Sequence, residues 1–258
     1  MKWPESLSLI RHDVSAFNSL KGQKEQSPLY KAFRQAYETK PEAEETVKLA
    51  LEVKDMFALE IGDHNTPLAE GAGWQAKMVG EKLKGLIKVP DIIFVSPYLR
   101  THTTLDRICE GWPELKHVET KEEERIREQD HGITLIYNDW RVFNVLHPEQ
   151  KALRDIQGEY WYRYPQGENV SDVRERLRSW LGTLSRDYVN QNVLAVTHHL
   201  TILSLRANLE RLDDKEFLRL DHEEKPINCG VTVYRGKDDK GSNGKLVLEG
   251  YNINLYST

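Results

Sequence analysis

Short apolar runs alternate along the chain with stretches whose apolar residues recur every three or four positions. The runs, flanked by polar clusters, read as strands buried on both faces. The amphipathic stretches between them read as the crossover helices that parallel strands require. The clearest strands are Ser6–Arg11 (SLSLIR), Asp91–Ser96 (DIIFVS) and Asn192–Thr197 (NVLAVT), and each ends in a polar or charged cluster. Helical periodicity is carried by Ala72, Ala76, Val79, Leu83 and Ile87, and again by Val170, Val173, Leu177, Trp180, Leu184 and Tyr188. The first of these helices is predicted to start at Thr66–Pro67, a capping residue followed by the proline that the first helical position tolerates. Gly230–Arg235 and Lys245–Tyr251 predict a hairpin around a polar, glycine-containing turn. The pattern as a whole predicts an α/β fold with a largely parallel sheet.

About fifty residues separate the first strand from Thr66, far more than the usual few-residue connection. Pro28–Phe57 has helix-forming composition and a partial apolar stripe at Ala43, Val47, Ala50, Leu51 and Phe57. The region from about 20 to 65 therefore reads as a helical insertion after the first strand, either a lid or a decoration that only packs. The rest of the 258 residues reads as a single domain around it.

Composition narrows the function classes. With 39% hydrophobic residues the chain can bury a substantial core, and 36 Lys+Arg against 41 Asp+Glu give a net charge of -5. No basic field exists to gather nucleic acid or an anionic membrane. No stretch approaches the ~20 apolar residues of a membrane-spanning helix, and the first residues lack the layout of a secretion signal. The expectation is a soluble, cytoplasmic protein with neither nucleic-acid nor membrane partners, and a homodimer is left open. Cys109 and Cys229 stand alone in sequence, which suits a reducing compartment and excludes a disulfide framework or a thiolate metal cage. Both read as small core residues.

In an open parallel sheet, ligands bind beyond the carboxyl ends of the strands. Three predicted strand ends deliver unusual chemistry there: Arg11-His12-Asp13, Ser96-Pro97-Tyr98-Leu99-Arg100-Thr101 and Thr197-His198-His199. A single histidine or arginine in such a place is usually structural or solvated. Arginines and histidines at three strand ends at once predict an anion site.

These separated motifs resemble those of the histidine phosphatase superfamily, the group related to cofactor-dependent phosphoglycerate mutase. Leu9-Ile10-Arg11-His12-Asp13-Val14-Ser15-Ala16-Phe17-Asn18 is similar to the first signature, Leu-x-Arg-His-Gly-x-Ser/Thr-x-x-Asn. Ser96–Thr101 resembles the second arginine motif, Arg127-Glu128-Gln129-Asp130-His131-Gly132 the acid-bearing loop, and Val196-Thr197-His198-His199 the second histidine motif. Gly167–Val173 with Arg176 resembles the approach to the family's long helix. The resemblance runs in order from about Leu7 to Val233. It implies a three-layer α/β/α fold and a metal-independent phosphatase, without a cofactor, that acts on a small phosphorylated metabolite. By the same resemblance His12 is the nucleophile, Glu128 the proton donor, and Arg11, Arg100 and His198 the phosphate-binding groups, with Ser15 and Asn18 adding hydrogen bonds. General chemistry agrees: guanidinium forks and imidazoles match phosphoryl oxygens, and an imidazole nitrogen can attack phosphorus.

The chain departs from the family pattern in places. Asp13 stands where the family has Gly, and its carboxylate would either orient His12 through the second ring nitrogen or repel the substrate. His199 also replaces Gly, and a structural role is the expectation there. His102 is expected to pack or to cap a helix. Pro67-Leu68-Ala69-Glu70-Gly71-Ala72 departs from Pro-Leu-Thr-Glu-x-Gly in a region read as a helix start. Three rivals remain in view: phosphoglycerate mutase-type transfer, a weakened module that only binds a phosphorylated ligand, and a metal enzyme built on two histidines and a carboxylate. Two arginines in one pocket with such a metal argue against the last. The stretches Arg125–Gly132 and Tyr160–Pro165 look more like the phosphatase branches than the mutases.

Overall fold

In a computed structural model, residues 2–58 and 60–257 are described. The chain runs β1 (Ser6–Arg11), α1 (Ala16–Gln26), α2 (Pro28–Thr39), α3 (Glu44–Met56), α4 (Trp74–Leu83), β2 (Ile92–Val95) and α5 (Leu99–Gly111). It continues through β3 (Thr120–Glu122), α6 (Trp140–Leu146), α7 (Pro148–Gln157), α8 (Val170–Asp187), β4 (Asn192–Thr197), α9 (His199–Glu210), α10 (Asp214–Glu223), β5 (Val231–Lys237) and β6 (Lys245–Ile253). Two compact units result: residues 1–15, 64–128 and 172–258, and residues 16–63 with 129–171.

The first unit holds a six-stranded sheet in the order β3-β2-β4-β1-β5-β6. β1, β2, β3 and β4 pair in parallel, whereas β5 and β6 add antiparallel. The strands that read as apolar runs are buried throughout, apart from a half-buried Arg11 at the end of β1. Alternation along each strand divides the core. Leu7, Leu9, Phe94 and Ala195 face Val173, Leu177 and Trp180 of α8 and Ile202 and Leu205 of α9. Ile10, Ile93, Val95 and Val196 face Ala76, Val79 and Leu83 of α4 and Leu105 and Ile108 of α5. Helices on both faces of a mostly parallel sheet make the three expected layers. The approach of α4 to α5 depends on glycine: a Cβ on Gly80 would lie 2.2 Å from the Ile108 carbonyl oxygen, and one on Gly111 would lie 2.1 Å from that of Lys77.

Two predicted elements differ. The helix expected from Thr66–Pro67 starts at Trp74, because 66–72 is spent on another contact. Leu68 bridges Ser15, and the Ala69 N–H donates to the Val14 carbonyl at 2.9 Å. Gly73 then enters the helix at φ 105°, a value that a Cβ makes costly. β3 has no counterpart among the predicted strands, since its Thr-Lys-Glu is wholly exposed and carries no apolar signal. As a short charged edge strand it discourages pairing with another chain.

In the second unit the helices of the predicted insertion share a core with the segment 129–171: Tyr30, Phe33, Ala50, Val53 and Phe57 pack with Val142 and Val145. Of the expected stripe, Ala50 and Phe57 are buried, while Leu51 is 44% exposed and Ala43 precedes α3 as its cap. Buried among these helices, Lys24 Nζ lies 2.7 Å from Asp139 Oδ2, which also accepts from the Tyr30 hydroxyl at 2.5 Å. Despite burial, Lys24 holds the Asp139 carboxyl below its ordinary range.

Candidate active site

The parallel register brings the carboxyl ends of β1, β2 and β4 to one edge of the first unit: Arg11 lies opposite Thr197, and Val95 opposite Val196. The residues beyond each strand are therefore gathered there. His12 is 4% exposed and His198 fully buried, with ring centroids 5.2 Å apart at 61°. Tyr98 stacks edge-on against His198 at 4.9 Å, and the Arg100 guanidinium lies over the same Tyr98 ring at 4.7 Å. The segment after β2 thus presents its arginine and touches the second histidine through one phenol.

A hydrogen bond fixes the tautomer of the His12 ring. His12 Nδ1 lies 2.6 Å from the Asp13 carbonyl oxygen, which can only accept. Nδ1 therefore carries the proton, and in the neutral ring Nε2 holds the lone pair. Burial, then the charges of Arg100 and Arg11, push the His12 pKa well below its ordinary value. Burial and Arg100 do the same to His198, whose Nε2 lies 2.7 Å from the Ser96 hydroxyl. Both rings are neutral at neutral pH. Burial also lowers the Arg11 guanidinium, with the Glu128 charge opposing, and Arg11 donates to the Pro226 carbonyl at 2.7 Å.

Glu128 lies on the loop after Ile126, and three side chains hold that loop by its backbone. Thr197 and Thr201 hydroxyls donate to the carbonyls of Ile126 and Arg127, both at 2.6 Å. Arg176 donates to those of Arg125 at 2.6 Å and Glu128 at 3.1 Å. The Glu128 carboxylate accepts from the Leu200 N–H in the first turn of α9 at 3.4 Å. Arg11, His12, Arg100, Glu128 and His198 are thus assembled within one unit. Ser15 is buried two residues beyond Asp13, on the bridge to Leu68. Asn18 lies in α1, in the second unit.

Of the two roles open to the Asp13 carboxylate, a direct bond to the His12 ring is not the one found; the Asp13 main-chain carbonyl makes that contact. The carboxylate accepts from the N–H groups of Val14 at 2.7 Å, Gly73 at 3.0 Å and Ala76 at 3.2 Å. Asp13 is not among the residues with positive φ, so the glycine of the family pattern is not needed for backbone reasons. His199 has the structural role expected: its Nε2 lies 2.7 Å from Asp221 Oδ1 on α10. His102 does not cap the helix; it is half-buried on α5 and lies 3.0 Å from Glu122 on β3. Cys229 is buried in the α4–α5 core, and Cys109 packs partly buried at its border. Two contributors had no role assigned from sequence: Ser96, whose hydroxyl meets His198, and Asn228, which donates to the His12 carbonyl at 2.9 Å. Ser96 belongs to the second arginine motif, which marks it; Asn228 has no motif around it. Among the described residues, His12, His198 and Glu128 do not converge as a potential metal-ligand set.

The profile of the histidine phosphatase superfamily (branch 1) matches residues 58–247, most of the chain. The chain belongs to this superfamily. Arg11 and His12 precede the matched region, so their assignment rests on the first signature and on the geometry of the site. The phosphoglycerate mutase-like protein AT74H of Arabidopsis thaliana is 32% identical over 180 residues, 62% of each chain. The chain thus spans about three fifths of that relative's length. Phosphoserine phosphatase 1 of Hydrogenobacter thermophilus is 26% identical over 151 residues, 58% of this chain and 67% of the other. Among solved structures, phosphoserine phosphatase from Entamoeba histolytica in complex with 3-phosphoglyceric acid superposes with a TM-score of 0.62 over 96% of both chains. At 18% identity this likeness speaks to the fold. Among the described residues, no helix is long and apolar enough to cross a membrane.

Proposed function

We propose that this superfamily member is a metal-independent phosphomonoesterase that hydrolyses a small phosphorylated metabolite through a phosphohistidine at His12. The supporting observation is the state of His12: a buried, neutral imidazole with its proton committed to the Asp13 carbonyl and its Nε2 lone pair free. That ring is a nucleophile without prior deprotonation. Arg11, Arg100, Ser15 and His198 are assigned to the phosphoryl oxygens. Arg11 Nε and His198 Nδ1 are buried and lack a hydrogen-bond partner among the described residues. The Arg11 Nε–H is a buried donor whose unmet hydrogen bond costs about 1–3 kcal/mol, which a phosphoryl oxygen would recover.

In the first step Nε2 attacks phosphorus in line, the P–N bond forms as the ester P–O bond breaks, and the departing alkoxide takes the carboxylic-acid proton of Glu128. In the second step the Glu128 carboxylate takes a proton from water, the hydroxide attacks phosphorus, and the P–N bond breaks. Inorganic phosphate leaves and His12 is neutral again. The named phosphatases among the relatives support hydrolysis over transfer to a second hydroxyl. The test is turnover of p-nitrophenyl phosphate in excess chelator. His12→Ala should abolish turnover and acid-labile labelling by a radioactive phosphate ester. Glu128→Gln should slow alkyl phosphates by about 10²–10⁴-fold and p-nitrophenyl phosphate far less. Wild-type turnover in His12→Ala would refute the proposal.

A further inference from the structure

Asp13 departs from the glycine of the family signature, and its bonds form a chain that ends on the reacting nitrogen. Its carboxylate Oδ1 accepts from the Val14 N–H at 2.7 Å. That N–H and the Asp13 carbonyl belong to one peptide group, planar and trans, so a grip on one end fixes where the other end points. The other end is the carbonyl oxygen 2.6 Å from His12 Nδ1. The second carboxylate oxygen, Oδ2, accepts from the Gly73 and Ala76 N–H groups at 3.0 and 3.2 Å, the start of α4, where the helix dipole favours an anion. The backbone of Asp13 is held as well, its N–H meeting the Thr104 hydroxyl at 3.0 Å while that hydroxyl donates to the Arg100 carbonyl at 2.6 Å. Asp13 is fully buried, so none of these bonds competes with solvent.

Resting on the phosphohistidine reading, we propose that Asp13 is a positioning residue whose carboxylate, anchored on the first turn of α4, orients the 13–14 peptide and so locks His12 in the Nδ1–H tautomer that exposes Nε2. An anion accepting from Val14 also polarises the peptide and makes its carbonyl a stronger acceptor for the His12 proton. Glycine at this position would leave both the peptide plane and the α4 amides without that tie. The negative charge, which could have repelled a phosphorylated substrate, is taken up by three amides.

The experiment is long-range ¹H–¹⁵N correlation on histidine-labelled protein, with His12 assigned by its loss in His12→Ala, alongside turnover of p-nitrophenyl phosphate. Wild type should show His12 as one neutral tautomer, protonated at Nδ1. Asp13→Ala should mix the tautomers and lower kcat about 10- to 100-fold, the range typical when a partner that orients a functional imidazole is lost. Asp13→Asn keeps an oxygen for the Val14 N–H but turns its amide nitrogen toward the Gly73 and Ala76 N–H groups, so it should recover the single-tautomer signal and the rate only in part. An Nε2–H ring in the wild type overturns the proposal even if the variants fail to fold. So does an unmixed Nδ1–H ring in Asp13→Ala, whatever its rate. Absence of a phosphohistidine, with the tautomers responding to Asp13 in this way, would instead sink the catalytic reading and leave the positioning of His12 standing.

Discussion

Acidification should destabilise this protein through two buried rings. His12 and His198 both titrate well below 6.5 in the folded chain, chiefly through burial and then the Arg100 charge. A lowered imidazole pKa means that, between the folded value and 6.5, the unfolded chain holds a proton the folded chain refuses. Stability then falls as pH falls through that window. For one ring, moving from pH 7.5 to 5.5 removes at most about 1.4 kcal/mol, and for the pair at most about 2.7 kcal/mol. For a chain of this length that is roughly 5–10 °C in melting temperature. Asp139 and Asp221, held low by Lys24 and His199 despite burial, exchange their protons below 3.8, outside the window. The buried Cys229 thiol, pushed up by burial, lies above it. Thermal melts in non-phosphate buffers from about pH 7.5 to 5.5, on wild type and on His12→Gln/His198→Gln, read the effect directly. The double variant should lose up to about 2.7 kcal/mol of the pH dependence. An identical slope in both proteins would show that the rings are not held neutral and would remove the basis for a nucleophilic His12.

Two stability predictions rest on packing. Gly80→Ala gains up to about 1 kcal/mol in helix propensity but drives a Cβ to 2.2 Å from a backbone oxygen of α5, so a net loss of about 1–3 kcal/mol is expected in chemical denaturation. Gly182→Ala on α8, where nothing lies within 4 Å, should be stabilising by about 0.5–1 kcal/mol in the same assay. Lys24→Met leaves the Asp139 carboxylate buried without its cation and should cost about 3–5 kcal/mol, with a loss of cooperativity in the helices of the second unit by circular dichroism.

Much of the fold is written in local pattern. Strands β1, β2 and β4 announce themselves because strands covered on both faces must be apolar throughout, and α8 because one of its faces meets the core at Val173, Leu177 and Trp180. The candidate-site side chains are legible too, since Arg11, Arg100 and His198 stand at or just beyond strand ends and parallel strands deliver their ends to one edge. Local pattern fails where long-range contacts override it. β3 has no apolar residue to betray it. The start of α4 is decided by the bridge between Leu68 and Ser15, and the core of the second unit joins residues about a hundred positions apart. At the site, residue identity marks Asp13 as an anomaly but does not say what its charge meets. That answer depends on α4 beginning beside it. Residue order alone marks Arg11, His12, Arg100, Glu128 and His198 as the candidate groups. Which proton each ring carries is settled by packing, because tautomer and charge depend on burial and on hydrogen-bond partners that the linear chain does not bring together.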